Sequence, residues 1–167
     1  MPLYFAYGSN MDRAAMAARC PGATALGPAR LVRHCFIVNT DGYAAVRRDP
    51  HRVVWGLLWD LALADVPALD RYESLATGLY TKTVQPVLAA AGPRRALVYL
   101  ARSSTAGAAR AGYMENVVAA ATAADLPEAY RRELEAWLPN PPPGAPEKPA
   151  VRPLFAAPSG LRGRPRT

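Results

Sequence analysis

Two cysteines and two histidines are all that this 167-residue chain offers of the residues that most often staple a fold or hold a metal. Cys20 and Cys35 cannot build a disulfide framework and match no C-x-x-C spacing. A zinc site would have to draw on those two thiols with His34 and His51, and no two of the four sit at ligand spacing. No run of 18 apolar residues occurs, which argues against a transmembrane helix. The opening MPLYFAYGSN lacks the basic and long apolar regions of a secretory signal. The expectation is a cytoplasmic protein with no metal, no cofactor and no membrane partner.

What is present is enough for one sizeable core: 51% hydrophobic residues, 20% charged, and a mean hydropathy near zero. The formal net charge of +7 is unevenly placed. From Pro139 to Thr167 five basic residues face a single acid, leaving fifteen basic and twelve acidic residues on 1–138. No helix of that body carries a clustered basic stripe, so a nucleic-acid partner is not expected. The composition breaks at Pro139, beyond which nine of 29 residues are proline. We expect a domain over 1–138 and an extended or disordered Pro/Arg-rich tail over 139–167.

Along the body, residues 3–7 (LYFAY) read as a buried strand that stops at Gly8-Ser9-Asn10. A helix follows over about 12–19, with Asn10 and Asp12 both plausible caps. Strands are expected at 31–39 and 43–47, joined by Asp41-Gly42. The segment 53–61 (VVWGLLWDL) is apolar on both faces and so central in a sheet. A short helix over about 65–73 has Asp65 as its cap. Strands at 79–87 and 95–101 form a hairpin through Ala-Gly-Pro, and Pro86 demands an edge or a bulge. Two helices close the body, one with Met114, Val117, Val118 and Ala121 on a single face, the other burying Leu126, Tyr130, Leu134 and Leu138. Strands early and helices late argue an α+β fold on a strongly curved sheet or small barrel.

Few residues are left to carry chemistry. His34 shares a strand face with Val32, Phe36 and Val38, which suits a core or edge histidine. Cys35 follows it directly and points the other way, so the two make no nucleophilic pair. Ser9 has no nucleophile-elbow context and reads as a binding residue or cap. In YFAYGSNM a strand end, a glycine, two small polar residues and a helix start fall together, the arrangement whose backbone N–H groups form an anion-binding concavity. On the following short helix Val66, Leu69, Asp70 and Glu73 fall on one face. Burial and the negative end of the helix both disfavour a charged Glu73, so a raised pKa and a proton-shuttle role are expected, with Asp70 as the rival carboxylate.

YFAYGSNM, VVWGLLWDL, LDRYES, GLYTKTVQPV and GYMENVVAAATAADLPEAYRREL, in this order over about residues 3–140, resemble the γ-glutamylcyclotransferase family. That family also takes in γ-glutamylamine cyclotransferases and plant avirulence-induced-gene-like proteins. The resemblance implies a small barrel, no cofactor, and a small-molecule γ-glutamyl substrate cyclised to 5-oxoproline with release of an amine or amino acid. It also implies roles: Glu73 as catalytic acid and base, Tyr7, Gly8, Ser9, Asn10 and Met11 as the substrate-binding loop, and Tyr80 and Tyr113 as further substrate contacts. Ser74 departs from the family pattern, in which glycine often follows the glutamate. The leaving group stays open between an amino acid, an amine and a larger acyl acceptor, and a non-catalytic binding module on the same scaffold is the alternative of a different class. Oligomeric state is not legible.

Overall fold

The computed structural model describes residues 1–74 and 77–139, so the expected tail falls outside the described residues except for Pro139. Five strands, β1 (Leu3–Ala6), β2 (Thr24–Val38), β3 (Ala44–Asp60), β4 (Tyr80–Ala89) and β5 (Gly92–Ala101), close into a barrel in the order β1-β3-β2-β4-β5. Helix α1 (Arg13–Arg19) follows β1, α2 (Val66–Tyr72) follows β3, and α3 (Tyr113–Ala123) and α4 (Glu128–Glu135) end the described chain. The expected α+β barrel is the fold observed. No helix among the described residues is long and apolar enough to cross a membrane.

The run expected to be central is central. Leu57 of β3 pairs with Ala6 of β1 on one side and Pro28 of β2 on the other. β1 closes the barrel by lying parallel to β5, with Tyr4 opposite Leu97. Side chains from both directions fill the interior, among them Phe5, Leu31, Leu57, Val98, Met114, Val117 and Leu134.

Two strand expectations need correction. β2 begins at Thr24, well before residue 31, and β3 runs unbroken through 47–52, where separate strands at 43–47 and 53–61 are expected. Arg47, Arg48 and Pro50 to Arg52 are exposed, so apolar periodicity lapses there. The backbone nonetheless stays extended because β2 pairs with it on either side, Val32 with Val53 and His34 with Arg48. The register jump between those pairs falls at Arg33, which takes φ 60. His34 is buried, its Nδ1 2.8 Å from the Val32 carbonyl oxygen.

The hairpin of β4 and β5 turns at Ala90-Ala91, one residue ahead of the expected Ala-Gly-Pro, because Ala89 and Gly92 already pair. Pro86 lies where β4 has β5 alone as a neighbour, since β2 reaches only Leu88 and Ala89. A residue with no N–H to donate fits that edge.

Of the two candidate caps for α1, Asp12 is the one used, its carboxylate accepting from the N–H groups of Ala14 at 2.8 Å and Ala15 at 3.0 Å. Asn10 is thereby left for another purpose. Asp65 precedes α2 but makes no capping bond. Its carboxylate accepts instead from the Gly22 N–H at 2.9 Å, tying the start of α2 to the end of α1.

Candidate active site

β1 ends at Ala6, and the chain then turns through Gly8 into a single 3₁₀ turn, Ser9–Met11. The N–H groups of Met11 and Asp12 close this turn on the carbonyls of Gly8 and Ser9, at 3.0 and 3.1 Å. Those of Ser9 and Asn10, at the start of the turn, have no acceptor within it. Glycine suits position 8 by space: a Cβ there would lie 3.0 Å from both the Ala44 Cβ and the Tyr113 hydroxyl, closer than ordinary contact, so these neighbours would have to give way.

The turn forms one wall of a cavity of about 180 Å³. Its other walls come from Tyr43 just before β3 and Ala44 at its start, the end of α2 (Tyr72, Glu73, Ser74), the start of β4 (Leu79, Tyr80), Tyr99 of β5 and Tyr113 of α3. Seven of the chain's eight tyrosines line it. Buried tyrosines need a partner for each hydroxyl, and most of these find one. Tyr7 donates to the Tyr99 carbonyl at 2.6 Å and Tyr80 to the Ala44 carbonyl at 3.0 Å. Tyr113 accepts from the Ala44 N–H at 3.1 Å. These three hydroxyls are thus fastened to the backbone of β3 and β5, while those of Tyr4, Tyr72 and Tyr99 meet side chains of Asn10, Ser9 and Asp70.

Among the described residues that line the cavity, Glu73 is the carboxylate. It caps the C-terminus of α2, its N–H donating to the Leu69 carbonyl at 2.9 Å. Asn10 Nδ2 donates to Glu73 Oε1 at 2.8 Å, and the Tyr4 hydroxyl lies 3.4 Å from the same oxygen. Among the described residues no protein donor reaches Oε2. Burial pushes the carboxyl up to about 7, against the opposing pull of the Tyr4 hydrogen bond, the Arg19 charge and the Asn10 hydrogen bond. Burial likewise holds the Tyr4, Tyr7, Tyr80 and Tyr99 hydroxyls above the ordinary phenol range and lifts Tyr113 to about 12. At neutral pH the cavity therefore presents neutral hydroxyls around one carboxyl that is poised to gain or lose a proton.

Tyr7, Gly8, Ser9, Asn10, Glu73, Tyr80 and Tyr113, all named from sequence, meet in this cavity. Met11 does not line it: its side chain is buried in the barrel core and its N–H is spent within the turn. Asp70 does not line it either, because its carboxylate is held by Lys82 at 2.7 Å and by the Tyr99 hydroxyl at 2.6 Å. Tyr4, Tyr43, Tyr72 and Tyr99 belong to the site and are absent from the sequence reading. The available signal is compositional, eight tyrosines against three phenylalanines, an excess of hydroxyl-bearing rings over plain ones.

The residue after the catalytic candidate is strained. Ser74 takes φ 52, the left-handed region where a side chain costs about 1–2 kcal/mol. Glycine avoids that cost but loses more chain entropy on folding, about 0.5–1 kcal/mol. Ser74→Gly is accordingly expected to stabilise the protein by up to about 1 kcal/mol, read as a rise in the denaturant midpoint with unchanged slope. A lower midpoint would show that the serine makes a compensating interaction.

Residues 53–134 match the model of the AIG2-like family. The γ-glutamylcyclotransferases of Mus musculus and Homo sapiens are each 26% identical to this chain over 149 residues, covering 83% of it and 79% of the relative. A solved γ-glutamyl cyclotransferase superposes with a TM-score of 0.77 at 25% identity, over 88% of this chain and 94% of that one. A tyrosine-lined barrel pocket with a buried glutamate opposite a Tyr-Gly-Ser-Asn turn thus belongs to a chain that is similar to the AIG2-like family and the γ-glutamylcyclotransferases in both sequence and structure.

Proposed function

We propose that this protein cyclises the γ-glutamyl group of a small substrate to 5-oxoproline and releases the attached amine or amino acid. The observation that carries the reading is Glu73: a carboxyl raised to about 7, held on Oε1 by Asn10, in a cavity otherwise walled by neutral groups. The relatives named γ-glutamylcyclotransferases supply the reaction class.

In this reaction the substrate's own α-nitrogen attacks its own γ-carbonyl carbon. A C–N bond forms to close the five-membered ring, and the C–N bond to the departing amine breaks. Glu73 Oε2 takes a proton from the α-ammonium and then delivers it to the leaving nitrogen, so the carboxylate is regenerated each cycle; the second proton that the α-nitrogen sheds on becoming the lactam N–H passes to the released amine, which departs as an ammonium. Folding the glutamyl chain so that nitrogen and carbonyl meet supplies much of the rate, since intramolecular reactions reach effective molarities of ~10⁵–10⁸ M. The N–H groups of Ser9 and Asn10, which have no acceptor within the turn, are the donors offered to the substrate's anionic portion. Tyr80 and Tyr113 bound the pocket against the glutamyl methylenes.

The direct test offers the full-length protein a panel of γ-glutamyl amino acids, γ-glutamyl amines and a larger acyl-γ-glutamyl compound, with 5-oxoproline quantified by mass spectrometry. Product from at least one member is expected, and the preferred member fixes the leaving group. Binding of these compounds without product would instead make the chain a ligand-binding module.

A further inference from the structure

Arg19 is the last residue of α1, outside the cavity lining, yet it touches the site at two points. One guanidinium nitrogen donates to Asn10 Oδ1. The guanidinium carbon also lies 3.4 Å from the centroid of the Tyr72 ring, stacked on the residue immediately before Glu73. The Tyr72 hydroxyl is in turn 3.0 Å from Ser9 Oγ. Arg19 therefore clasps the binding turn with one contact and the end of α2 with the other.

The consequence for Asn10 is specific. An amide side chain has two orientations that differ by exchange of oxygen and nitrogen, and the hydrogen-bond network selects between them. With its oxygen occupied by a cation, Asn10 must turn its NH₂ to Glu73 Oε1, 2.8 Å away, and to the Tyr4 hydroxyl, 3.0 Å away. Reversed, the amide would set an oxygen against a carboxylate oxygen. The groups that face Glu73 from the surrounding elements are Tyr72 on α2 and, with hydroxyls that burial holds above the ordinary phenol range, Tyr4 and Tyr7 on and just after β1, Tyr80 on β4, Tyr99 on β5 and Tyr113 on α3. Asp70 lies one shell out, bound to Tyr99 and neutralised by Lys82. Among the described residues Arg19 is the cation that acts on Glu73.

We propose that Arg19 is a positioning residue of this site: through Asn10 it fixes the donor that holds Glu73 Oε1, leaves Oε2 toward the substrate, and keeps the carboxyl able to release its proton. The kinetic part rests on the reading of Glu73 as the proton carrier, whereas the positioning part is a property of the ligand-free protein.

The experiment is an NMR titration of the Glu73 side-chain carboxyl in full-length wild type, Arg19→Met and Arg19→Lys. Wild type is expected to titrate near 7, Arg19→Lys close to it, and Arg19→Met about one unit higher, as loss of a nearby opposite charge requires. Where product forms, kcat/KM of Arg19→Met should be roughly tenfold lower at pH 6 and approach wild type by pH 9. A role confined to stability would lower the melting temperature and leave the midpoint unmoved, and an unmoved midpoint overturns the proposal. Should Arg19→Met fail to fold, the Asn10 side-chain NH₂ resonances of wild type decide: they must shift with the Glu73 midpoint, and resonances indifferent to it contradict the network. A raised midpoint in a protein that makes no 5-oxoproline from any substrate would uphold Arg19 and reject the proposed reaction.

Discussion

Glu73→Gln lowers 5-oxoproline formation by roughly 10²–10⁴-fold, the usual worth of a positioned general acid–base group. The amide keeps an oxygen for Asn10 to bind at Oε1 but accepts no proton on the other side. Substrate binding should change little, so the loss falls on kcat and not on KM. The same substitution has an opposite effect on stability. The folded-state value, about 7, lies above the ordinary 4.5, so between these pH values the native protein holds a proton that the unfolded chain has released. The native state is therefore progressively destabilised as pH rises from 4.5 through 7, by roughly 3 kcal/mol once both states are ionised. Glutamine carries no such penalty. Glu73→Gln should match wild type in stability near pH 4 and exceed it at pH 8, measured by denaturant unfolding at the two pH values. Equal stability at pH 8 would mean that the carboxylate is ordinarily solvated in the fold.

Gly56→Ala is expected to destabilise the protein by about 3 kcal/mol or more and to impair the site as well. Gly56 is buried in β3, and a Cβ there would stand 2.2 Å from the Ala6 carbonyl oxygen and 2.8 Å from the Phe5 ring. Overpacking a core usually costs about 1–3 kcal/mol. The nearest atom here is backbone of the adjacent strand, which cannot rotate away, so the cost belongs at or above the top of that range. Relief requires β1 to move at Ala6, two residues before Gly8 and four before Asn10. The variant should thus lose activity beyond what its unfolded fraction explains. A midpoint within 1 kcal/mol of wild type, with normal turnover, would show that β1 shifts without cost and that the turn is not held by strand packing.

What the sequence discloses follows from how local each feature is. The Tyr-Gly-Ser-Asn turn is legible because a strand end, a glycine and two small polar residues are contiguous, and Glu73 because helical spacing puts it in line with Val66 and Leu69. Tyr4 and Tyr99 are not legible, since they meet through the parallel closure of β1 against β5, a long-range pairing with no local signature. The extent of β3 escapes for a related reason: exposed arginines at 47 and 48 suspend the apolar pattern while β2 supplies the hydrogen bonds that keep the chain extended. Met11 lies outside the cavity because the 3₁₀ turn sends the residue after Asn10 into the core, a direction that adjacency to the turn does not disclose. Ser74 shows the value of a departure from pattern: a left-handed backbone position explains why glycine suits it.

The pH dependence of kcat/KM for 5-oxoproline release, measured on wild type with the preferred γ-glutamyl substrate, tests the central claim most directly. It reports ionisations of the free protein and free substrate. The account predicts activity that falls tenfold per pH unit below about 7, with that limb missing from the residual activity of Glu73→Gln. A limb at an ordinary carboxylate value, or Glu73→Gln turning over at the wild-type rate, would contradict it.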